Sequence, residues 1–242
     1  MPECAHHDLQ HLFSQEGQPG LFGKVATQHV KLYRLAKTMT APTILEFGVA
    51  QGMSTCLLAA ACEETGGHLY SVDIIDCSAA VRSPAWTFIQ QNDLNVDAIL
   101  EAAPRLRNGI DLLHIDSTHS EAHVREQLMR WYPYVNANGW ITFHDVDPTP
   151  YRSGQRKDNP RHELEAVGVS EVIRAFFYAN EDDLFLEFHF GSTGMGFMRK
   201  LCPRGTRPNP PLRLRSRLLH VSLPALFWST RRWLAKHVKN SS

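Results

Sequence analysis

Five apolar runs of this 242-residue chain end in acidic, amide or imidazole side chains. The ends are Glu46 with Gly48 and Gly52 just beyond it, Asp73, the pair Asn92-Asp93, Asp116 with His119, and the pair His144-Asp145. Glycines in a turn after a buried strand permit positive φ and let a ligand come close to the backbone. Such turns bind nucleotide-like cofactors, and an acid ending the next strand can accept from both hydroxyls of a ribose. The spacing is not Gly-x-Gly-x-x-Gly and no Gly-Lys-Ser/Thr occurs, so a dinucleotide or triphosphate loop fits poorly. Any one of these residues is explained equally well as a helix N-cap. All of them together, at successive strand ends, point to one ligand-binding rim.

The rim exists only if the runs are strands of one sheet. Thr43–Phe47, His68–Asp73, Trp86–Gln90, Ile110–Ile115 and Trp140–Phe143 read as strands. Segments near 22–39, 53–64, 97–106, 120–134 and 169–179 read as helices, and Leu184–Phe190 with Gly196–Met198 as a closing hairpin. Strand–helix alternation of this kind predicts an α/β fold: a doubly wound, mostly parallel seven-stranded sheet with a C-terminal antiparallel hairpin. Ligands bind beyond the carboxyl ends of such strands. Residues 1–21 read as a polar, irregular segment, 22–202 as the domain, and 203–242 as a tail that opens with a Pro-rich linker.

Glu46-x-Gly48-x-x-x-Gly52 followed by Asp73 resembles the class I S-adenosylmethionine-dependent methyltransferases, over about Phe22 to Met198. The resemblance implies that the Glu46–Gly52 turn packs against the methionine part of the cofactor and Asp73 holds the ribose. Asn92 or Asp93 then contacts the adenine. Within that superfamily, Asp116-Ser117-Thr118-His119-Ser120, a helix, and Asn138–Val146 with its His144-Asp145 are similar to one branch. It holds small-molecule and sugar O-methyltransferases and cephalosporin-hydroxylase-like proteins. Members show Asp-Gly-Asp-His-Ser at the first place, where this chain has Ser117 and Thr118 for the Gly-Asp. The resemblance implies Asp116, His144 and Asp145 as ligands of a divalent cation, magnesium first, with Asp116 also bordering the cofactor. It implies His119 as general base. Methyl transfer from a sulfonium needs an oxygen of lowered pKa, which a cation binding two substrate oxygens provides. A His of pKa about 6.5 can take the proton. Imidazole is a poorer magnesium ligand than carboxylate and suits manganese, iron or zinc better. The alternative has His144 bonded to backbone, leaving Asp116 and Asp145 for the metal.

The expected acceptor is a hydroxyl of a small molecule, a sugar or natural product. A non-methylating relative that assists a partner enzyme is the second reading, and a nucleic-acid methyltransferase the third. Charge bears on the last. Formal net charge is zero, yet residues 199–242 hold eleven Lys or Arg and no acid. Basic residues interleaved with Leu, Phe and Trp over 212–239 suit an anionic membrane surface, nucleic acid, or an acidic protein face. Disorder is the plainest alternative. Asn209-Pro210-Pro211-Leu212 lacks the aromatic of the amine-methylating motif and reads as linker. The segment Pro148–Glu163 reads as a basic surface loop on the rim, either covering an anionic acceptor or merely solvated. Five scattered cysteines without Cys-x-x-Cys argue against a zinc cluster or disulfide framework and for a reducing compartment. No signal peptide is apparent, so the expected location is cytoplasmic, with peripheral membrane contact and homo-oligomerisation left open.

Overall fold

A computed structural model describes residues 1–213. Its strands are β1 (Glu3–Cys4), β2 (Thr43–Phe47), β3 (His68–Asp73), β4 (Val81–Arg82), β5 (Trp86–Gln90), β6 (Ile110–Ile115), β7 (Val135–His144), β8 (Leu184–His189) and β9 (Met195–Lys200). The helices are α1 (Leu9–Ser14), α2 (Leu21–Lys37), α3 (Met53–Thr65), α4 (Val96–Ala102), α5 (Glu121–Trp131), α6 (Thr149–Arg152) and α7 (Pro160–Ala179). Seven strands form one sheet in the order β5-β3-β2-β6-β7-β9-β8, parallel through β7 and antiparallel at β9 and β8. This is the expected doubly wound sheet with its antiparallel hairpin.

The side chains of β2 explain its central place. All five are buried, and alternate residues enter opposite cores. Ile44 packs with Leu32, Leu57, Ala60 and Leu69, while Leu45 and Phe47 pack with Leu128, Trp131 and Ile173. The sheet is thus covered by helices on both faces, as parallel sheets must be. The chain runs outward from β2 through β3 to β5, then returns to β6 beside β2. The β2/β6 gap is therefore the switch point where ligands bind. Register makes the rim level. Phe47 pairs with Val72 and with Ile115, and Ile115 pairs with Phe143. Asp73, Gly48, Asp116 and His144 consequently stand one residue further on, in a single row across four adjacent strands.

Several local expectations change. Residues 1–20 are not irregular: Asp8 caps α1, its carboxylate accepting from Gln10 N at 2.9 Å, and Leu9 and Leu12 are buried. Cys4 is bonded to Cys56 of α3, so one disulfide is present where none was expected. Asn138-Gly139 does not begin the last parallel strand. β7 starts at Val135, and Asn138, at φ 64°, lies within it where the register against β6 shifts. The segment expected as a loop over 147–162 contains α6, and α7 starts nine residues earlier than expected. Asn159 caps it and Pro160 opens it. Paired charges (Arg161 with Glu165, Arg152 with Glu163) fill its first turns and hid the helical pattern. The helix expected over 97–106 ends at Ala102, and a 3-10 turn follows from Pro104. Residues 203–211 are not a free linker. Gly205 N bonds Pro133 O at 2.8 Å and Asn209 N bonds Asn180 Oδ1 at 2.7 Å. Most of the basic, aromatic stretch 212–239 lies outside the described residues. Among the described residues no helix is long and apolar enough to cross a membrane.

Candidate active site

The glycine turn is built around two acids with different duties. Glu46 is fully buried beneath the turn, where its carboxylate accepts from Ser54 Oγ (2.6 Å), Thr55 Oγ1 (2.8 Å) and Ser71 Oγ (2.6 Å). Burial pushes it up to about 7 against those three hydrogen bonds. It ties β2, β3 and α3 together and lies below the ligand cavity rather than in its wall. Asp73 lies at the surface of the same turn. Its Oδ2 accepts from Val49 N at 2.9 Å and its Oδ1 from Ile75 N at 3.0 Å. Ala50 N also donates to Oδ2, at 3.5 Å, so Oδ1 is the oxygen that keeps a lone pair for a further donor.

Gly48 has φ 87°, and a Cβ there would lie 2.2 Å from the carbonyl oxygen of Asp116. The glycine is required by the neighbouring strand end, which the sequence did not suggest. Gly52, at φ 79°, starts α3, and a Cβ there would meet Ala80 at 3.2 Å. Beside this turn is a cavity of about 310 Å³, with Gly48, Asp73, Asn92, Asp93, Asp116 and His123 among its lining residues. Asn92 makes a local turn with Leu94 N at 2.9 Å. Asp93 is buried and anchored: Ser117 Oγ (2.6 Å) and Gln127 Nε2 (2.9 Å) donate to Oδ2, and His123 Nε2 stands 2.8 Å from Oδ1. A larger hollow of about 530 Å³ lies at the opposite, amino-terminal ends of β3 and β5, away from the rim residues.

One step along the row, imidazoles and carboxylates converge. Asp116 Oδ1 lies 3.1 Å from His119 Nε2 and 3.3 Å from His144 Nδ1. Asp145 Oδ1 lies 3.2 Å from His144 Nδ1, and its Oδ2 3.5 Å from His119 Nδ1. Asp145 reaches back because its backbone is left-handed, at φ 55°. Burial alone would raise both acids, but the His144 charge outweighs it. Asp116 is held well below the usual carboxylate range and Asp145 falls to about 2. Burial likewise opposes charge on His144 and His119, and the facing carboxylates win, raising both. Asp116, His119 and His144 offer ligand atoms within 4.8 Å of one another, as a metal requires. Among the described residues His144 makes no hydrogen bond to backbone; its Nε2 stands 3.5 Å from Thr193 Oγ1.

Two further histidines flank the cluster. His114 lies under Asp116, fully buried, with Nδ1 2.9 Å from Thr142 Oγ1 and Nε2 3.9 Å from Asp116 Oδ2. Burial lowers it to about 3. His29 of α2 faces His144 at 5.3 Å between ring centroids, its Nδ1 donating to Val25 O at 2.9 Å. Burial, then the His144 charge, lowers it to about 4. His114 is legible as an inward-facing position of β6, whereas nothing in the helical pattern of α2 marks His29.

Residues 45–146 match the family model of a methyltransferase domain. That match runs from β2 to the end of β7, the strands that carry the switch-point turn and the level rim. Among solved structures, the chain is similar to the MycE methyltransferase of the mycinamycin biosynthetic pathway, solved with magnesium and S-adenosylhomocysteine. Identity is 21% over 82% of this chain, TM-score 0.53, and the chain spans 56% of MycE's length. It is also similar to the methyltransferase PaMTH1 of Podospora anserina, at 16% identity over 80% of this chain and 87% of the other, TM-score 0.54. A Staphylococcus aureus protein named for caffeoyl-CoA O-methyl transfer gives 14% identity, 72% and 83% coverage, and TM-score 0.52. Likeness at these identities is likeness of fold.

Proposed function

We propose that this chain transfers a methyl group from S-adenosylmethionine to a hydroxyl of a small molecule, a sugar or natural product. The observation that carries the reading is the level row: the glycine turn and Asp73 stand beside Asp116 and His144. A cofactor bound in the cavity at Gly48 and Asp73 would present its sulfonium toward the Asp/His cluster. Asp73, with a lone pair left on Oδ1, receives a ribose hydroxyl. Asp93 and Asn92 border the adenine end. Glu46 supports the reading as the buried post that fixes the turn, not as a ligand contact.

A divalent cation fits the residues present. Asp145 Oδ1 is a buried oxygen with no hydrogen-bond partner, and three potential ligand side chains converge beside it. Asp116 and His144 would hold the ion, with Asp145 and His119 against them. When bound, the ion lowers the pKa of an acceptor hydroxyl. His119 is placed to serve the acceptor in one of two ways, by taking its proton or by helping hold the ion. The chain's own residues then orient the acceptor. α2 brings His29 over His144, and the turn Gly191–Gly194 is tied to the rim by Asp147 accepting from Gly191 N at 3.0 Å.

The test is calorimetric binding of S-adenosylmethionine to the full chain, followed by S-adenosylhomocysteine release across pools of hydroxylated acceptors with a divalent metal present. Binding and acceptor-dependent release are expected. A protein that binds no cofactor ends the reading, and one that binds it yet methylates no hydroxyl moves it to the non-methylating class.

A further inference from the structure

We propose that the rim site takes a nitrogen-preferring transition cation of the manganese, iron, cobalt or zinc kind, with His119 as one of its ligands, rather than magnesium. The inference rests on the methyltransferase reading for its setting but is read out by metal binding alone. Three observations carry it. First, the atoms that converge are two ring nitrogens and one carboxylate oxygen: His119 Nε2 and His144 Nδ1 both approach Asp116 Oδ1, at 3.1 and 3.3 Å. The three side chains meet the spacing of a common ligand set, and Asp145 stands outside that set. Magnesium demands oxygen donors in near-octahedral order and keeps its waters. Two imidazoles with one carboxylate are the donor set of later divalent metals.

Second, His119 is oriented from behind. Its Nδ1 faces Asp145 Oδ2 at 3.5 Å while Nε2 faces inward. A carboxylate on the remote nitrogen fixes the tautomer and ring plane of a metal-bound histidine. Third, Asp145 Oδ1 is buried without a hydrogen-bond partner, 3.2 Å from His144 Nδ1. That oxygen is turned to the His144 ring and lies outside the set formed by Asp116, His119 and His144. Asp145 therefore acts as the positioning residue behind His119 and beside His144.

The experiment uses the full chain stripped with chelator, then titrated with cobalt(II), manganese(II) and magnesium(II) by calorimetry and, for cobalt, by visible absorption. One cobalt per chain with visible bands typical of nitrogen ligation is expected, undisplaced by magnesium in about hundredfold excess. His144→Ala and His119→Ala should each weaken manganese binding by at least about tenfold, and Asp145→Asn by about 10–100-fold, as for loss of a carboxylate behind a ligand histidine. Circular dichroism of each variant separates ligand loss from misfolding, and the wild-type displacement experiment needs no variant. Magnesium binding as tight as cobalt, or no metal binding, overturns the inference. So does a folded His119→Ala protein with wild-type manganese affinity, which would return His119 to proton transfer. S-adenosylmethionine binding, measured separately, reports on the methyltransferase reading whichever metal result is found.

Discussion

Gly48→Ala tests whether the close approach of β2 and β6 is what the glycine turn is for. The added Cβ would lie 2.2 Å from the Asp116 carbonyl oxygen, 2.7 Å from its carbon and 2.9 Å from Ser117 Cα, where ordinary contact begins at 3.4 Å. All three are backbone atoms, so no side chain can swing away and the two strand ends must part by about 1 Å. The residue must also hold φ 87°, which costs a non-glycine roughly 1–2 kcal/mol. Forcing packed backbone apart adds about 1–3 kcal/mol. The sum is a loss of about 2–5 kcal/mol. Gly66→Ala is the control: φ is 74° but nothing lies within 4 Å of the new Cβ, so only the conformational cost of roughly 1–2 kcal/mol applies. Urea denaturation of both variants, compared at constant m-value, isolates the steric part as their difference. Because Asp116 is displaced, S-adenosylmethionine binding by Gly48→Ala should fall as well, while Gly66→Ala binds normally. Equal stability of the two variants, or wild-type binding by Gly48→Ala, would refute the account of the β2/β6 gap.

Other expectations follow from the same contacts. Glu46 has its folded pKa raised from 4.5 to about 7. The unfolded chain therefore ionises first, and stability should fall by up to about 3 kcal/mol as pH rises from 4.5 to 7. Glu46→Gln should flatten that stretch of the stability–pH curve measured by urea titration, and parallel curves would sink the argument. Asp73→Ala removes an acceptor for Val49 N and Ile75 N and, in the proposed reading, for the ribose of the cofactor. Cofactor affinity should drop at least about tenfold, the worth of one good hydrogen bond to a charged group; unchanged calorimetric affinity would place the ribose elsewhere. Cys4→Ser opens a closed loop spanning 52 residues of sequence separation, worth at most about 4 kcal/mol in chain entropy. A lower thermal midpoint under non-reducing conditions, and no difference under reducing ones, is the expected outcome.

Short apolar runs with clear bounds were legible in the sequence. Thr43–Phe47, His68–Asp73, Trp86–Gln90 and Ile110–Ile115 have the observed limits because Pro, Gly or acidic residues bound them. Elements held by tertiary contact were not. Asn138-Gly139 looks like a turn, yet Asn136 Nδ2 bonds Asp111 Oδ1 at 2.8 Å and keeps the chain in β7. α1 is one and a half turns long and exists through the Asp8 cap and two buried leucines, too little pattern to see. The row Asp73, Gly48, Asp116, His144 follows from strand ends alone, so the site's position was readable. Its inner detail was not. The depth of Glu46 depends on hydroxyls from β3 and α3, and the facing of His29 depends on how α2 lies on the sheet. Neither quantity is local in sequence.

Asp145 has a consequence for how this protein responds to selection. A left-handed backbone at φ 55° suits glycine and disfavours aspartate. Glycine at 145 would relax the backbone but break the pairing of the carboxylate with His119 and His144. Backbone conformation and side-chain pairing pull in opposite directions at this one residue. Local frustration of that kind marks the residue just past β7 as a place where the chain gives up a small part of its folding free energy to keep a carboxylate beside His119 and His144.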